Sequence, residues 1–343
     1  MDSTGIDGTD WDDHLEVAAL RPGHRIDGSL LLGAVEVRET KNGDPYLAGT
    51  LRDETGRIEL RQWDEHQHPP AGTVVRLTGQ VDEYKGALQV VVDRMAIDQE
   101  ADPADYIESA HRPADELLDE VRRLVDLHCE QPLVDLLDYV LGYWPLHNEP
   151  QHRTAKSTRG DRLRESPAAK RNHHARHGGL IEHIHSMCWT ACRMVEHYQE
   201  RYGQSAPRLD LLLAGCILHD IGKLDEMSGP IGTEYTREGE LAGHIAIGLR
   251  HLDKAAEAAD VSQGSELYQH LRHLILSHHG KREWGSPVEP KTPEAVLLHQ
   301  IDMLDSRLDP VCSALSKAGE GAERVETSAG QELLVMGGGG DRE

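Results

Sequence analysis

Two kinds of apolar spacing divide the chain. Between residues 22 and 98, apolar and polar positions partly alternate, the period of half-buried strands. Segments near 26–37, 46–52, 57–63, 73–83 and 87–97 carry this pattern. Turn chemistry separates them: Asn42-Gly43-Asp44-Pro45, Asp53-Glu54-Thr55-Gly56, Pro69-Pro70-Ala71-Gly72 and Lys85-Gly86. From residue 114 the spacing changes to three and four, which predicts helices. Leu117, Leu118, Val121, Leu124 and Val125 form one stripe. Leu133, Val134, Leu137, Val140 and Leu141 form another after Pro132, and 177–310 reads as helix throughout. Residues 99–113 are polar, contain Pro103 and Pro113, and read as a linker. A polar leader (1–21) is expected to be poorly ordered or to carry one short helix, and a Gly-rich tail (316–343) to lack fixed structure.

Five short strands in so short a segment suit a small Greek-key barrel, and the OB-fold is the commonest such answer. The order of its segments, with "LRDETGRIELRQW" after the first turn, resembles OB-fold nucleic-acid-binding domains. The expected architecture is therefore multidomain. An N-terminal all-β OB-fold barrel (22–98) precedes an all-α helical bundle (114–315). Tyr46, Trp63 and Tyr84 could offer stacking surfaces to bases, or simply pack. Arg38, Lys41, Arg52, Arg61 and Lys85 could meet phosphates, or be solvated surface. OB barrels also bind proteins and sugars, so the fold alone does not choose the ligand.

Charge narrows the picture. The formal net charge of −24 would repel a polyanion, so any nucleic-acid site must be a local basic region. The stretch 152–176 is such a region. Arg153, Lys156, Arg159, Arg162, Arg164, Lys170, Arg171 and Arg176 face only Asp161 and Glu165. It reads equally as a phosphate-contacting loop or a solvated one. Five cysteines form no CxxC pair, which fits a reducing compartment and core packing. With no signal peptide and no apolar run of membrane-spanning length, the expectation is a cytoplasmic protein with no membrane partner.

Candidate chemistry lies in the helical half. Eight apolar residues, Leu211 to Leu218, run straight into His219-Asp220. An isolated carboxylate buried beside such a run would cost several kcal/mol, and a cation offsets that cost. Lys223 follows at i+4 and i+3 from the pair, on the same side of the helix. It could bind a substrate phosphate, or form a salt bridge to Asp220 or Asp225. Leu180, His183, Met187 and Ala191 share a face, so His183 points inward, while His185 points away. His244 leads another apolar-striped helix. His278 and His279 end the run Leu271-Leu274-Ile275-Leu276. Asp302 shares a face with Leu298, and Asp305, one turn on, could compete with it. Glu294 and Asp309 read as surface. Each imidazole alone is as well explained by a core hydrogen bond. Together they are what a helical bundle needs to build a buried metal centre from facing helices.

The motifs "HGGLIEHI", "LAGCILHDIGK", "GHIAIG", "LILSHHG" and "IDMLD" resemble the HD-domain metal-dependent phosphohydrolases. That resemblance implies a metal held by His183, His219, Asp220 and Asp302. It implies a second metal involving His244, His278 and His279, with Lys223 on substrate phosphate. "SPAAKRNHHARHGGLIEH", "GELAGHIAIG" and "SHHGKREWGSPVEPKTPEA", behind an OB-like domain, are similar to the YhaM-type 3′–5′ exoribonucleases. This narrower resemblance implies two divalent ions, manganese first among them, and a homo-oligomer. It also implies phosphate contacts from Lys170, His173 and His174. Arg176-His177 departs from it, where bulkier apolar or aromatic residues are expected.

The resulting expectation is a metal-dependent exonuclease removing nucleoside 5′-monophosphates from the 3′ end of single-stranded RNA, or DNA. Asp220 and Lys223 are its catalytic residues, and Trp63 and Tyr84 help to hold the strand. Three alternatives stand beside it: hydrolysis of a nucleotide or cyclic dinucleotide, di-iron oxygenase chemistry, and non-catalytic RNA binding.

Overall fold

The computed structural model describes residues 15–65, 67–142, 159–169, 174, 176–229, 234–319 and 321–336. They form two compact units that divide between Glu108 and Ser109.

The first unit is a closed five-stranded barrel with strand order β1-β2-β3-β5-β4. Its strands are β1 (Arg25–Glu39), β2 (Pro45–Arg52), β3 (Arg57–Trp63), β4 (Val74–Tyr84) and β5 (Ala87–Ile97). Alternation places Ile58 and Leu60 of β3, Val75, Leu77 and Val81 of β4, and Val90 and Val92 of β5 in one core. β1 passes from β4 to β2 at Leu31, and its register against β2 shifts just beyond, between Leu32 and Val35. Such a bulge bends a strand and lets a sheet close on itself. β3 and β5 complete the closure in parallel, Leu60 opposite Val90.

The leader contributes to this core, which its composition did not suggest. A 3₁₀ turn, Val17–Ala19, lies against the barrel with Val17 and Leu20 buried. The Val17 amide donates to the Asp53 carboxylate at 2.8 Å and the Ala18 amide to the Thr55 hydroxyl at 3.1 Å. The expected linker also holds structure: a 3₁₀ turn at Pro103–Tyr106 and a buried Ile107.

The second unit is helical. Its elements are α1 (Ala114–His128), α2 (Leu133–Leu141), α3 (Arg159–Glu165), α4 (Gly179–Tyr202), α5 (Leu209–Leu218), α6 (Lys223–Glu226), α7 (Arg237–Ala258), α8 (Glu266–Ser277) and α9 (Pro293–Ser316). α5 is apolar on every side and buried from Leu211 to Leu218, as a helix at the centre of a bundle must be. α4, α8 and α9 pack around it. Thr236, Ser265 and Thr292 cap α7, α8 and α9, each hydroxyl accepting a hydrogen bond from a first-turn amide. The tail also departs from its expected lack of structure. Arg324–Glu326 and Glu332–Leu334 pair as a short hairpin, β6 and β7. Among the described residues, no helix is long and apolar enough to cross a membrane.

Candidate metal centre

Six helices send side chains to one point beside the C-terminal end of α5. α4 supplies His183, the end of α5 His219 and Asp220, and α6 Lys223. α7 supplies His244, the end of α8 His278 and His279, and α9 Asp302. Close backbone approach makes this possible. A Cβ on Gly222 would lie 2.0 Å from the His244 carbonyl oxygen, so only glycine lets α7 come so near. α7 itself breaks at Gly243 (φ 70°). The break presents the His244 amide to the Glu226 carboxylate at 2.9 Å.

Asp220 is the common member of two groups. Its Oδ2 lies 3.2 Å from His219 Nε2 and 3.9 Å from His183 Nε2. His183 Nε2 is in turn 3.3 Å from His219 Nε2 and 3.4 Å from Asp302 Oδ1. The other oxygen, Oδ1, lies 3.5 Å from His244 Nε2 and 3.9 Å from His278 Nε2. The His278 and His279 ring centroids are 4.3 Å apart, and those of His244 and His279 are 5.1 Å apart. His183, His219 and Asp220 offer donor atoms within 4.8 Å of one another, and so do His244, His278 and His279.

The imidazoles are oriented from behind. His219 Nδ1 lies 3.0 Å from the Cys216 carbonyl and His278 Nδ1 lies 2.7 Å from the Ile275 carbonyl. His183 Nδ1 lies 2.7 Å from Asp305. A carbonyl holds Nδ1–H and leaves Nε2 as a lone-pair donor, the arrangement that surrounds metal-bound imidazole. The buried Nε2 of His244, Nε2 of His278 and Nδ1 of His279 have no hydrogen-bond partner among the described residues. Buried polar atoms are ordinarily satisfied. Three orphaned nitrogens from three adjacent imidazoles, beside a shared carboxylate, fit divalent cations. A nitrogen–oxygen donor set of this kind accepts manganese, iron, cobalt, nickel or zinc.

The electrostatics agree. Burial pushes the Asp220 carboxyl up, but Lys223 and His219 outweigh it and hold it well below the usual range. Burial opposes charge on His183, yet its bonds to Asp302 and Asp305 push it up to about 10. The pocket around it therefore favours positive charge strongly. Burial and the neighbouring His219 hold His278 well below its ordinary value, so it stays neutral and able to coordinate. Lys223 Nζ donates to Asp220 Oδ2 at 2.6 Å, and Asp220 keeps it charged against the effect of burial.

Several residues stand elsewhere than expected. His174 cannot meet phosphate in this structure. It is buried behind His183, with Nδ1 3.1 Å from Glu182 and Nε2 2.8 Å from Asp305. Lys170 and His173 lie outside the described residues. Asp305 does not compete with Asp302, because it takes the opposite nitrogen of His183. Asp309 and Glu294 are not surface groups. Asp309 pairs with the buried Arg176, and Glu294 accepts from the Arg208 amide at 2.8 Å. Arg176, the departure in the motif, thus joins Glu182 and Asp309 into a buried ionic cluster. In the basic stretch, Arg159 lies over the Tyr139 ring, Arg162 pairs with Asp225, and Arg164 pairs with Asp115. These arginines are committed to the fold; Arg153, Lys156 and Arg171 lie outside the described residues.

On the barrel, Trp63 and Tyr84 are both exposed. Trp63 lies with Tyr46 at a centroid distance of 5.0 Å. Tyr84 stands opposite Ala87 at the tip of the β4–β5 hairpin. Arg61 stands opposite Val91, so Trp63 falls near Asp93, roughly 20 Å along β5 from Tyr84 at ~3.3 Å per residue. The two rings cannot hold one base; they stand on separate stretches of surface.

The comparisons with known proteins fit both units. The HD domain matches residues 180–307, and the OB-fold nucleic acid binding domain matches residues 33–98. The 3′-5′ exoribonuclease YhaM of Bacillus subtilis (strain 168) is 36% identical over 314 residues, which cover 88% of this chain and 92% of that protein. The protein of the same name from Geobacillus sp. (strain WCH70) is 34% identical over 315 residues, covering 88% and 89%. That from Bacillus pumilus (strain SAFR-032) is 34% identical over 314 residues, covering 88% and 92%. With both units matched in order and relatives aligned along nearly their whole length, the chain belongs to the YhaM family of 3′–5′ exoribonucleases.

Proposed function

We propose that this protein is a metal-dependent 3′–5′ exoribonuclease that holds two divalent cations, manganese by preference, and releases nucleoside 5′-monophosphates. The observation that carries this reading is Asp220, whose two oxygens face two separate imidazole groups. His183, His219 and Asp302 would hold one cation with Asp220; His244, His278 and His279 would hold the other. Bound divalent cations acidify a water and neutralise charge on the oxygens of a phosphodiester.

The chain's own residues supply the rest. Carbonyls and carboxylates behind the imidazoles fix their orientation before substrate arrives. Lys223, held charged at Asp220, would meet a phosphate oxygen and stabilise charge that develops during displacement. Exposed aromatics on the barrel suit a single strand, because every base has a face that stacks. The same contacts serve DNA, which is therefore a second substrate to test.

The test is incubation of 5′-labelled RNA with the purified protein and Mn²⁺. A ladder shortening from the 3′ end, with nucleoside 5′-monophosphates as the released product, is expected. Asp220→Ala should abolish it while leaving RNA binding intact. An intact 5′ label lost as a mononucleotide, or full activity in Asp220→Ala, would overturn the reading. Metal analysis should find two ions per chain; one would remove the second site.

A further inference from the structure

Trp284 is 44% exposed, on the short loop that follows His278 and His279. Its position is fixed from several sides. Gly280 turns the loop at φ +80°, and a Cβ there would fall 2.4 Å from the His299 ring. His299 Nδ1 lies 2.8 Å from the His278 carbonyl oxygen. The Trp284 ring then leans on the His299 ring, 5.8 Å between centroids. The amides of Trp284 and Ser286 both donate to the Lys281 carbonyl, at 3.0 and 3.1 Å. The buried Ser286 hydroxyl ties the far end of the loop to the Leu276 and Val288 carbonyls. Gly285, next in sequence, borders the metal centre: a side-chain carbon there would lie 3.6 Å from His279 Nδ1. The loop that carries the indole therefore borders the second imidazole group.

Lys281 is the other half of the feature. Its Nζ lies 4.4 Å from the centre of the indole ring and 3.5 Å from Glu283, on exposed surface. A solvated lysine over an exposed ring is a cover that a flat ligand can displace at little cost. The displaced ammonium would remain within reach of a phosphate beside that ligand. An exposed indole, a movable cation and an adjoining phosphodiester site together fit a nucleotide better than they fit packing alone.

We propose that Trp284 is the stacking platform for the base of the 3′-terminal nucleotide, with Lys281 meeting the neighbouring phosphate. This rests on the exonuclease reading above and adds the contact that seats the strand end. Stacking on an indole is tolerant of base identity, so the platform would accept each new terminal base as the strand shortens.

The test is a two-by-two comparison of the first cleavage step with Mn²⁺. Parent and Trp284→Ala are each given intact RNA and RNA whose 3′-terminal nucleotide lacks its base. The parent should lose kcat/KM on the abasic RNA by about 5- to 150-fold, the range of base–aromatic stacking. Trp284→Ala should lose a similar factor on intact RNA, mostly in KM, and less than about twofold more on the abasic strand. Trp284→Phe should recover most of the loss. Losses that multiply, or Trp284→Ala matching the parent on intact RNA, would overturn the platform while leaving the exonuclease reading standing. A parent inactive on RNA would overturn both.

Discussion

His183 Nδ1 lies 2.7 Å from Oδ2 of Asp305, and His174 Nε2 reaches the same oxygen at 2.8 Å. The Ser186 hydroxyl donates to the other oxygen of that carboxylate. Asp305 is thus fixed before it fixes His183, and the Nε2 of His183 is left facing His219 and Asp302. Its role is positioning. Asp305→Asn should weaken metal binding by about 10- to 100-fold, the usual effect of losing such a partner. Activity should return at saturating Mn²⁺. A titration of activity against Mn²⁺ checks this, and a variant with parental metal affinity would show that the contact is incidental.

The exposed Trp63, leaning on the half-buried Tyr46, predicts a binding defect separable from chemistry. In the inactive Asp220→Ala background, Trp63→Ala should weaken single-stranded RNA binding about tenfold, within the ~1–3 kcal/mol of a stacked base. Trp63→Phe should retain most of the affinity. Fluorescence anisotropy with labelled RNA decides between them, and an unchanged Kd would remove Trp63 from the interface.

Arg176 predicts a stability defect. It sits buried between Glu182 at 2.6 Å and Asp309 at 2.5 Å. Arg176→Ala would leave two largely buried carboxylates with His111 and His174 as their remaining partners, a loss of about 3 kcal/mol. Adding Glu182→Gln and Asp309→Asn to that variant should restore part of it. Urea unfolding measures both; a single-variant loss below about 1 kcal/mol would show that water already screens the cluster.

Glu294 predicts a dependence on acid. Burial pushes its carboxyl up, but His270 and the Arg208 amide pull it down to about 2, against an ordinary 4.5. The folded protein therefore binds this proton less tightly than the unfolded chain. The resulting stability is complete above about pH 4.5 and is lost as pH falls towards 2. Glu294→Gln should lack this component, on the order of 2 kcal/mol at neutral pH. The gap between parent and variant should close as the solution is acidified, and denaturation at several pH values would reveal a constant gap if the assignment is wrong.

The barrel was legible because alternation and turn residues agree at each of its strands. The convergence of imidazoles and carboxylates was legible because each imidazole ends or interrupts an apolar stripe. What surrounds the ligands was harder to see. His174 and Asp305 are 131 residues apart, and nothing local in either segment announces the other. Asp309 did carry a signal, since Asp302, Asp305 and Asp309 follow one another at three and four along α9 and share its inner side. Acidic residues on a helix are usually solvated, and that masks the signal. The leader had no period to read: a single short apolar stretch, Leu15 to Leu20, holds one 3₁₀ turn, with Val17 in it and Leu20 just after it buried.

That turn works as a cork. Val17 and Leu20 stop the barrel, and Asp53 and Thr55 latch the stopper by its amides. A fragment cut where the strand pattern starts, at residue 22, would be uncorked, forfeiting about 1.5–3 kcal/mol for each of the two side chains. Anyone excising this barrel for binding studies should begin at or before Leu15, whose side chain borders Gly28 on β1.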